Sequence, residues 1–166
     1  MKKLVIMTLA LMMSLSAKAG VISLELDDTN VSVGDIVQVS VIGTGFDAFA
    51  TLDVDIEFDT NLFSVDELSL GGDLFSASPL DTYFSAQVFG AAFSFLSFDV
   101  FAGGDFTIAT FNITAIADGA SDFMLTNALA SDFFFGPVDA DISSDQVSAK
   151  VSSPATIGLF ALAGLL

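Results

Sequence analysis

The stretch TLDVDIEFDTNLF, Thr51 to Phe63, decides how the chain is read. Leu52, Val54, Ile56 and Phe58 alternate with Asp53, Asp55, Glu57 and Asp59. Successive side chains of a strand point to opposite faces, so this alternation predicts a β-strand with one buried side. The other side then carries a row of carboxylates. Residues two apart on a strand are about 6.6 Å apart, where unit charges in water repel by roughly 0.6 kcal/mol. Three successive pairs cost on the order of 2 kcal/mol before salt screens them. A packed domain tolerates that, so the row does not by itself require a metal. Asp59 ends the strand in FDTN, where its carboxylate is expected to accept backbone N–H bonds in an Asx-turn. Thr51, Asp53, Asp55 and Glu57 remain as the outward row.

The same period recurs along the chain. VISLEL (21–26), IVQVSVI (36–42), LFSVDELSL (62–70), TYFSAQVF (82–89), AFSFLSFDVF (92–101), FTIATFNITAI (106–116), DFMLTNA (122–128) and DQVSAKV (145–151) read as further strands. Gly- and Asp-rich turns such as SVGD, GTGFD, AGGD and ADGAS separate them, and no stretch shows a helical period. The expected fold is all-β, an antiparallel β-sandwich of about nine strands. Most of the 18 Phe residues fall at inward parity. AFSFLSFDVF is apolar at both parities, which predicts a bulge near Leu96–Ser97. DFFFG (132–136) has three adjacent aromatics, of which at least one should face out; the group reads as a loop plug or as a contact patch.

Composition narrows the function. Lys2 and Lys3 precede an apolar run, and small residues at Ala17 and Ala19 follow, so residues 1–19 read as a secretory signal peptide. The sandwich is expected over 20–151. Removal of the leader takes three of the four basic residues and leaves Lys150 against all 21 acids, a formal charge of −20 instead of −17. Such a domain repels nucleic acid and anionic membrane surfaces, and attracts basic partners and calcium. There is no Cys, His, Trp or Arg, which excludes disulfides, serine and cysteine triads and the usual zinc sites. Paired carboxylates can cleave glycosides across a cleft, but these acids share an open strand face on which nothing is expected to desolvate one of them, so the protein is read as no enzyme. No cofactor is required. A calcium site is the open alternative, with Asp139, Asp141 and Asp145 of PVDADISSD as ligands, although the run lacks the Gly and Glu of an EF-hand loop. Asp27, Asp28 and Asp35 form a second acidic loop cluster. Sugars stack best on Trp or Tyr, and here only Tyr83 and an exposed Phe such as Phe134 offer themselves.

Two blocks together resemble the cohesin family. The first is VSVGDIVQVSV followed by LDVDIEFDTNLFSVDELSLGGDLF, with Gly34-Asp35, Phe58-Asp59-Thr60-Asn61-Leu62, Gly72 and Leu74 at the matching positions. Thr60 stands where cohesins usually have Pro. The second is AGGDFTIATFNITAIADGAS (102–121), which matches at Gly104, Ala109, Phe111, Ala115, Gly119 and Ser121, with Phe106 where a Gly is often found. The resemblance implies a jelly-roll sandwich related to carbohydrate-binding modules. It also implies a partner-receiving sheet that includes the acidic strand, with the Asp matched by Asp53 in the contact. The end of the chain, SSPATIGLFALAGLL within 152–166, resembles a PEP-CTERM sorting segment without its first Pro, its Glu and its Arg-rich tail. That resemblance implies a surface or matrix protein of a Gram-negative bacterium, anchored transiently in the membrane by this segment. Two functions follow as expectations: binding of a protein partner through the acidic face, or binding of an extracellular polysaccharide.

Overall fold

The structure, a computed structural model, describes residues 19–76, 81–101, 103–143 and 146–153. The leader (1–18) and the apolar segment from Pro154 lie outside the described residues, as does Asp145. The described residues form twelve strands: β1 (Gly20–Leu26), β2 (Asn30–Ser32), β3 (Ile36–Phe46), β4 (Phe49–Glu57), β5 (Phe63–Gly71), β6 (Asp81–Gln87), β7 (Gly90–Phe101), β8 (Gly104–Ala115), β9 (Gly119–Ser131), β10 (Pro137–Val138), β11 (Ala140–Ile142) and β12 (Val147–Ser152). One turn of helix, α1 (Asp73–Ser76), follows β5.

The strands form two sheets. One runs β11-β1-β3-β8-β5; the other runs β2-β12-β9-β4-β7-β6, with β10 on the flank of β9. The expected sandwich is thus observed, with two differences. β2, β10 and β11 are two or three residues long, too short for a period to show. Two edge pairings, β1 with β11 and β2 with β12, are parallel.

The inward faces are what the alternation predicts. Leu52, Val54, Ile56 and Phe58 are buried, as are Val37, Val39 and Val41 of β3 and Ala109, Phe111, Ile113 and Ala115 of β8. Each large buried side chain contributes roughly 1.5–3 kcal/mol, which explains how the fold stands without a disulfide. The Phe residues form clusters at the two ends of the sandwich. Phe58, Phe63 and Phe123 meet at one end, with ring centroids 4.9 and 5.3 Å apart. Phe46, Phe49 and Phe106 meet at the other, with ring centroids 5.6 to 5.7 Å apart. The register slips between Leu96 and Phe101 of β7, at the predicted bulge.

Two residues that carried the family resemblance, Gly72 and Leu74, are fixed by close packing. Gly72 has φ 116°, and a Cβ there would strike the Ile108 carbonyl, while Leu74 is fully buried. The acidic loop cluster has structural work: Asp27, Asp28 and Asp35 accept the backbone N–H groups of Gln38, Asn30 and Ser32. The edge of β6 is blunted by Glu67, whose carboxylate accepts the N–H of Ala86 at 2.8 Å.

Candidate docking face and the adjoining cleft

β4 lies in the interior of its sheet, between β9 and β7. Directly paired residues share a face, so the outward side can be read row by row. The first row is Tyr83, Ser94, Asp53 and Leu129, across β6, β7, β4 and β9. The second is Ser85, Ala92, Asp55 and Asn127; the third is Gln87, Gly90, Glu57 and Met124. Asp53, Asp55 and Glu57 are exposed and Thr51 is half-buried. The predicted row is therefore intact and outward. It is not a uniformly wet acidic surface, because the exposed Leu129 and Tyr83 border it.

That neighbourhood changes one acid. Asp53 has its pKa raised above the usual aspartate range, first by partial burial and then by the charge of Asp55. The sequence reading expected no desolvated acid on this face; Asp53 corrects it. Asp55 is partnered, its carboxylate accepting the Asn127 side-chain amide at 3.2 Å.

At the Glu57 end of β4 the face runs into an open cleft of about 910 Å³. Phe58 to Asn61, Val88, Phe89, Ala120 to Asp122 and Met124 contribute to its lining. Hydrogen bonds tie these three segments together. The Phe58 N–H donates to the Phe89 carbonyl, the Thr60 hydroxyl to the Val88 carbonyl, and the Asp59 N–H to Ser121 Oγ. The Asx-turn is present: Asp59 Oδ1 accepts the backbone and side-chain amides of Asn61, each at 2.9 Å. Thr60, the departure from the usual Pro, thus has a bond that Pro could not make.

Sequence reasoning missed two parts of this surface. It ran a strand through 82–89, whereas β6 ends at Gln87, and Val88 and Phe89 form a two-residue hairpin loop. Apolar residues there read as strand, because hairpin loops are usually signalled by Gly, Asn or Asp. Leu129 was missed because a register shift opposite Asp55–Ile56 inserts Thr126 and reverses the parity of β9.

The other predicted residues lie apart from the acidic row or from each other. Tyr83 is exposed on β6, its hydroxyl 2.7 Å from Ser85 Oγ. Phe134 is exposed in the turn after β9, with β7 and β4 between the two strands, so they do not form one sugar platform. Asp141 sits within β11, and the carbonyl of Asp139 accepts the Gly20 N–H. The proposed calcium loop is therefore largely strand and strand connection. Among the described residues no group of three or more acids is gathered as a metal site.

No protein-family model matches the chain, and no curated protein matches it. Solved structures do. A non-cellulosomal cohesin from the hyperthermophilic archaeon Archaeoglobus fulgidus superimposes with TM-score 0.63 at 11% identity, over 84% of this chain and 96% of that one. A type II cohesin domain from the cellulosome of Acetivibrio cellulolyticus gives 0.67 at 12%, over 80% and 95%. A chain of a type I cohesin–dockerin complex from Clostridium thermocellum gives 0.64 at 10%, over 84% and 97%. At these identities the likeness establishes the fold, which is cohesin-like.

Proposed function

We propose that this chain is an exported, non-catalytic docking module that receives a protein partner on the outer face of β9-β4-β7-β6. The observation that carries the reading is the outward row Asp53, Asp55 and Glu57 on an interior strand, bordered by exposed Leu129 and Tyr83. A flat face with acids beside apolar anchors suits a partner segment that offers Lys or Arg and an apolar side chain. Solved relatives in fold include cohesins captured with dockerins, which makes a dockerin-type module the first partner class to try. The leader-like residues 1–19 and the apolar residues 152–166 support export and retention at the cell surface.

The test is binding of the immobilised protein to a panel of dockerin modules, with the double variant Asp53→Ser/Asp55→Ser beside it. Wild-type binding that falls at least tenfold in the variant, and that weakens as salt is raised, supports the reading. Equal affinity for a binder in both proteins rejects this face.

A further inference from the structure

Met124 carries the one sulfur atom among the described residues. The chain has no Cys and no Trp, and its other methionines, Met1, Met7, Met12 and Met13, all precede the sandwich. The thioether of Met124 is therefore the most readily oxidised group of the folded domain. Met124 pairs directly with Glu57 across β9 and β4, so it stands on the outward face, in the third row of the proposed docking surface. It is half-buried and lines the open cleft, where water and small solutes reach it.

The sulfur has one donor beside it. The side-chain amide of Gln146, the residue before β12, donates to Met124 Sδ. A thioether sulfur is a weak acceptor, so this donor is poorly used as the protein stands. The charged neighbours on the same face are acceptors only. Glu57 lies across the pairing, and Asp122, two residues back on β9, already accepts the Ser148 hydroxyl. An oxygen placed on the sulfur would carry partial negative charge. Both carboxylates would repel it, and the Gln146 amide would attract it. The surroundings thus hold a partner for the oxidised side chain that the reduced one barely engages.

We propose that Met124 is an oxidation site on the docking face: hydrogen peroxide converts its thioether to the sulfoxide, and Gln146 holds the new oxygen. In that step a sulfur lone pair attacks one peroxide oxygen and the O–O bond breaks. The departing hydroxide takes the proton left on the transferred oxygen and leaves as water. Sulfur gives up two electrons, and the peroxide is reduced. The product replaces a flexible apolar side chain with a polar one, and methionine sulfoxide reductases reverse it. In the third row this removes an apolar contact next to Glu57, so a partner seated there is held less tightly. The effect on binding rests on the docking function proposed above; the chemistry at sulfur does not.

The experiment treats the full chain with graded hydrogen peroxide and follows three quantities. Peptide mapping by mass separates Met124 from Met1, Met7, Met12 and Met13. Nuclear magnetic resonance reads the Gln146 side-chain amide, and the dockerin panel reads binding. Met124 should gain one oxygen while the protein stays folded, at a rate within about tenfold of free methionine. The Gln146 amide proton should move downfield as its acceptor strengthens, and a sulfoxide reductase should return it. Affinity for a bound partner should fall at least fivefold and recover with the reductase. Met124→Leu has no sulfur to oxidise, so its Gln146 signal and its binding should ignore peroxide. A Met124 that stays reduced until the protein unfolds would overturn the proposal. So would an unmoved Gln146 resonance in the oxidised protein, undiminished binding after oxidation, or an equal loss of binding in treated Met124→Leu. If no panel member binds the untreated protein, the docking function fails, while the mapping and the Gln146 resonance still decide the oxidation site.

Discussion

Asp53 stands directly across the β4–β9 pairing from Leu129, a carboxylate beside a leucine that is 60% exposed. An interior strand of a water-facing sheet has no structural need for such a leucine. On the proposed docking face it has one as a partner anchor, since interface energy concentrates in a few apolar contacts ringed by polar ones. Leu129→Ser should therefore weaken partner binding at least tenfold, while changing stability by no more than about 0.5 kcal/mol, as for an exposed side chain. Titration calorimetry together with a thermal melt checks both halves. A large drop in melting temperature with intact binding would assign Leu129 to the fold.

The leucine side of the row also bears on pH. Burial, and next the Asp55 charge, raise the pKa of Asp53 in the folded protein. The folded state then binds a proton at Asp53 more readily than the unfolded chain does. The charged form is thus a destabilising element, fully felt above the folded pKa and relieved as pH falls toward the ordinary value of about 3.9. Asp53→Asn removes it. The variant should melt about 1–3 °C higher than wild type at pH 7, a small gain because solvent screens the exposed part of the group. The difference should vanish below about pH 4, where both forms are neutral. Differential scanning calorimetry across pH reads it, and an equal or lower melting temperature at pH 7 contradicts it.

The parts of this molecule that were legible in the sequence are those governed by period two. Val37, Val39 and Val41, or Leu52, Val54 and Ile56, declare their side because every second residue is apolar and each of these is buried. The outward row at Asp53, Asp55 and Glu57 follows from the same parity. Legibility fails where the chain departs from it. Thr126 bulges and turns Leu129 outward; Val88 and Phe89 occupy a hairpin loop with residues that favour strands. β2 and β11 are held by parallel partners distant in sequence, Lys150–Ser152 for one and Gly20–Ile22 for the other. Nothing local in NVS or ADI signals such partners. The cleft joins residues from three such distant segments, and the turn after β9 depends on Asp132 accepting the N–H groups of Phe134 and Gly136.

Ser121 holds the floor of the cleft. It is the one buried polar side chain among the described residues, and its hydroxyl accepts the Asp59 N–H at 2.9 Å. Ser121→Ala leaves that donor without its partner, which costs about 1–3 kcal/mol and several degrees of melting temperature. The loosened Asp59 turn carries Thr60, so faster amide exchange at Asp59 and around Val88 should accompany the loss. Unchanged exchange at both places would mean that the bond does not support the cleft.

Gly90 opens β7 opposite Glu57, with φ 154°, and a Cβ there would run into the carbonyl oxygen of Ile56. Ile56 belongs to β4, so the clash falls on the backbone of that strand itself. Gly90→Ala must either push β7 off β4 or twist the Val88–Phe89 loop, and should cost about 2–4 kcal/mol, or roughly 10 °C in melting temperature. Gly34→Ala is the control. Gly34 has φ 99°, but its Cβ would meet nothing within 4 Å, so only the backbone conformation is penalised. That variant should lose about 1 kcal/mol and leave partner binding untouched. If the two alanine variants lost equal stability, crowding against Ile56 would not be what reserves position 90 for glycine. The tight approach of the Val88–Phe89 hairpin to β4 would then need another cause.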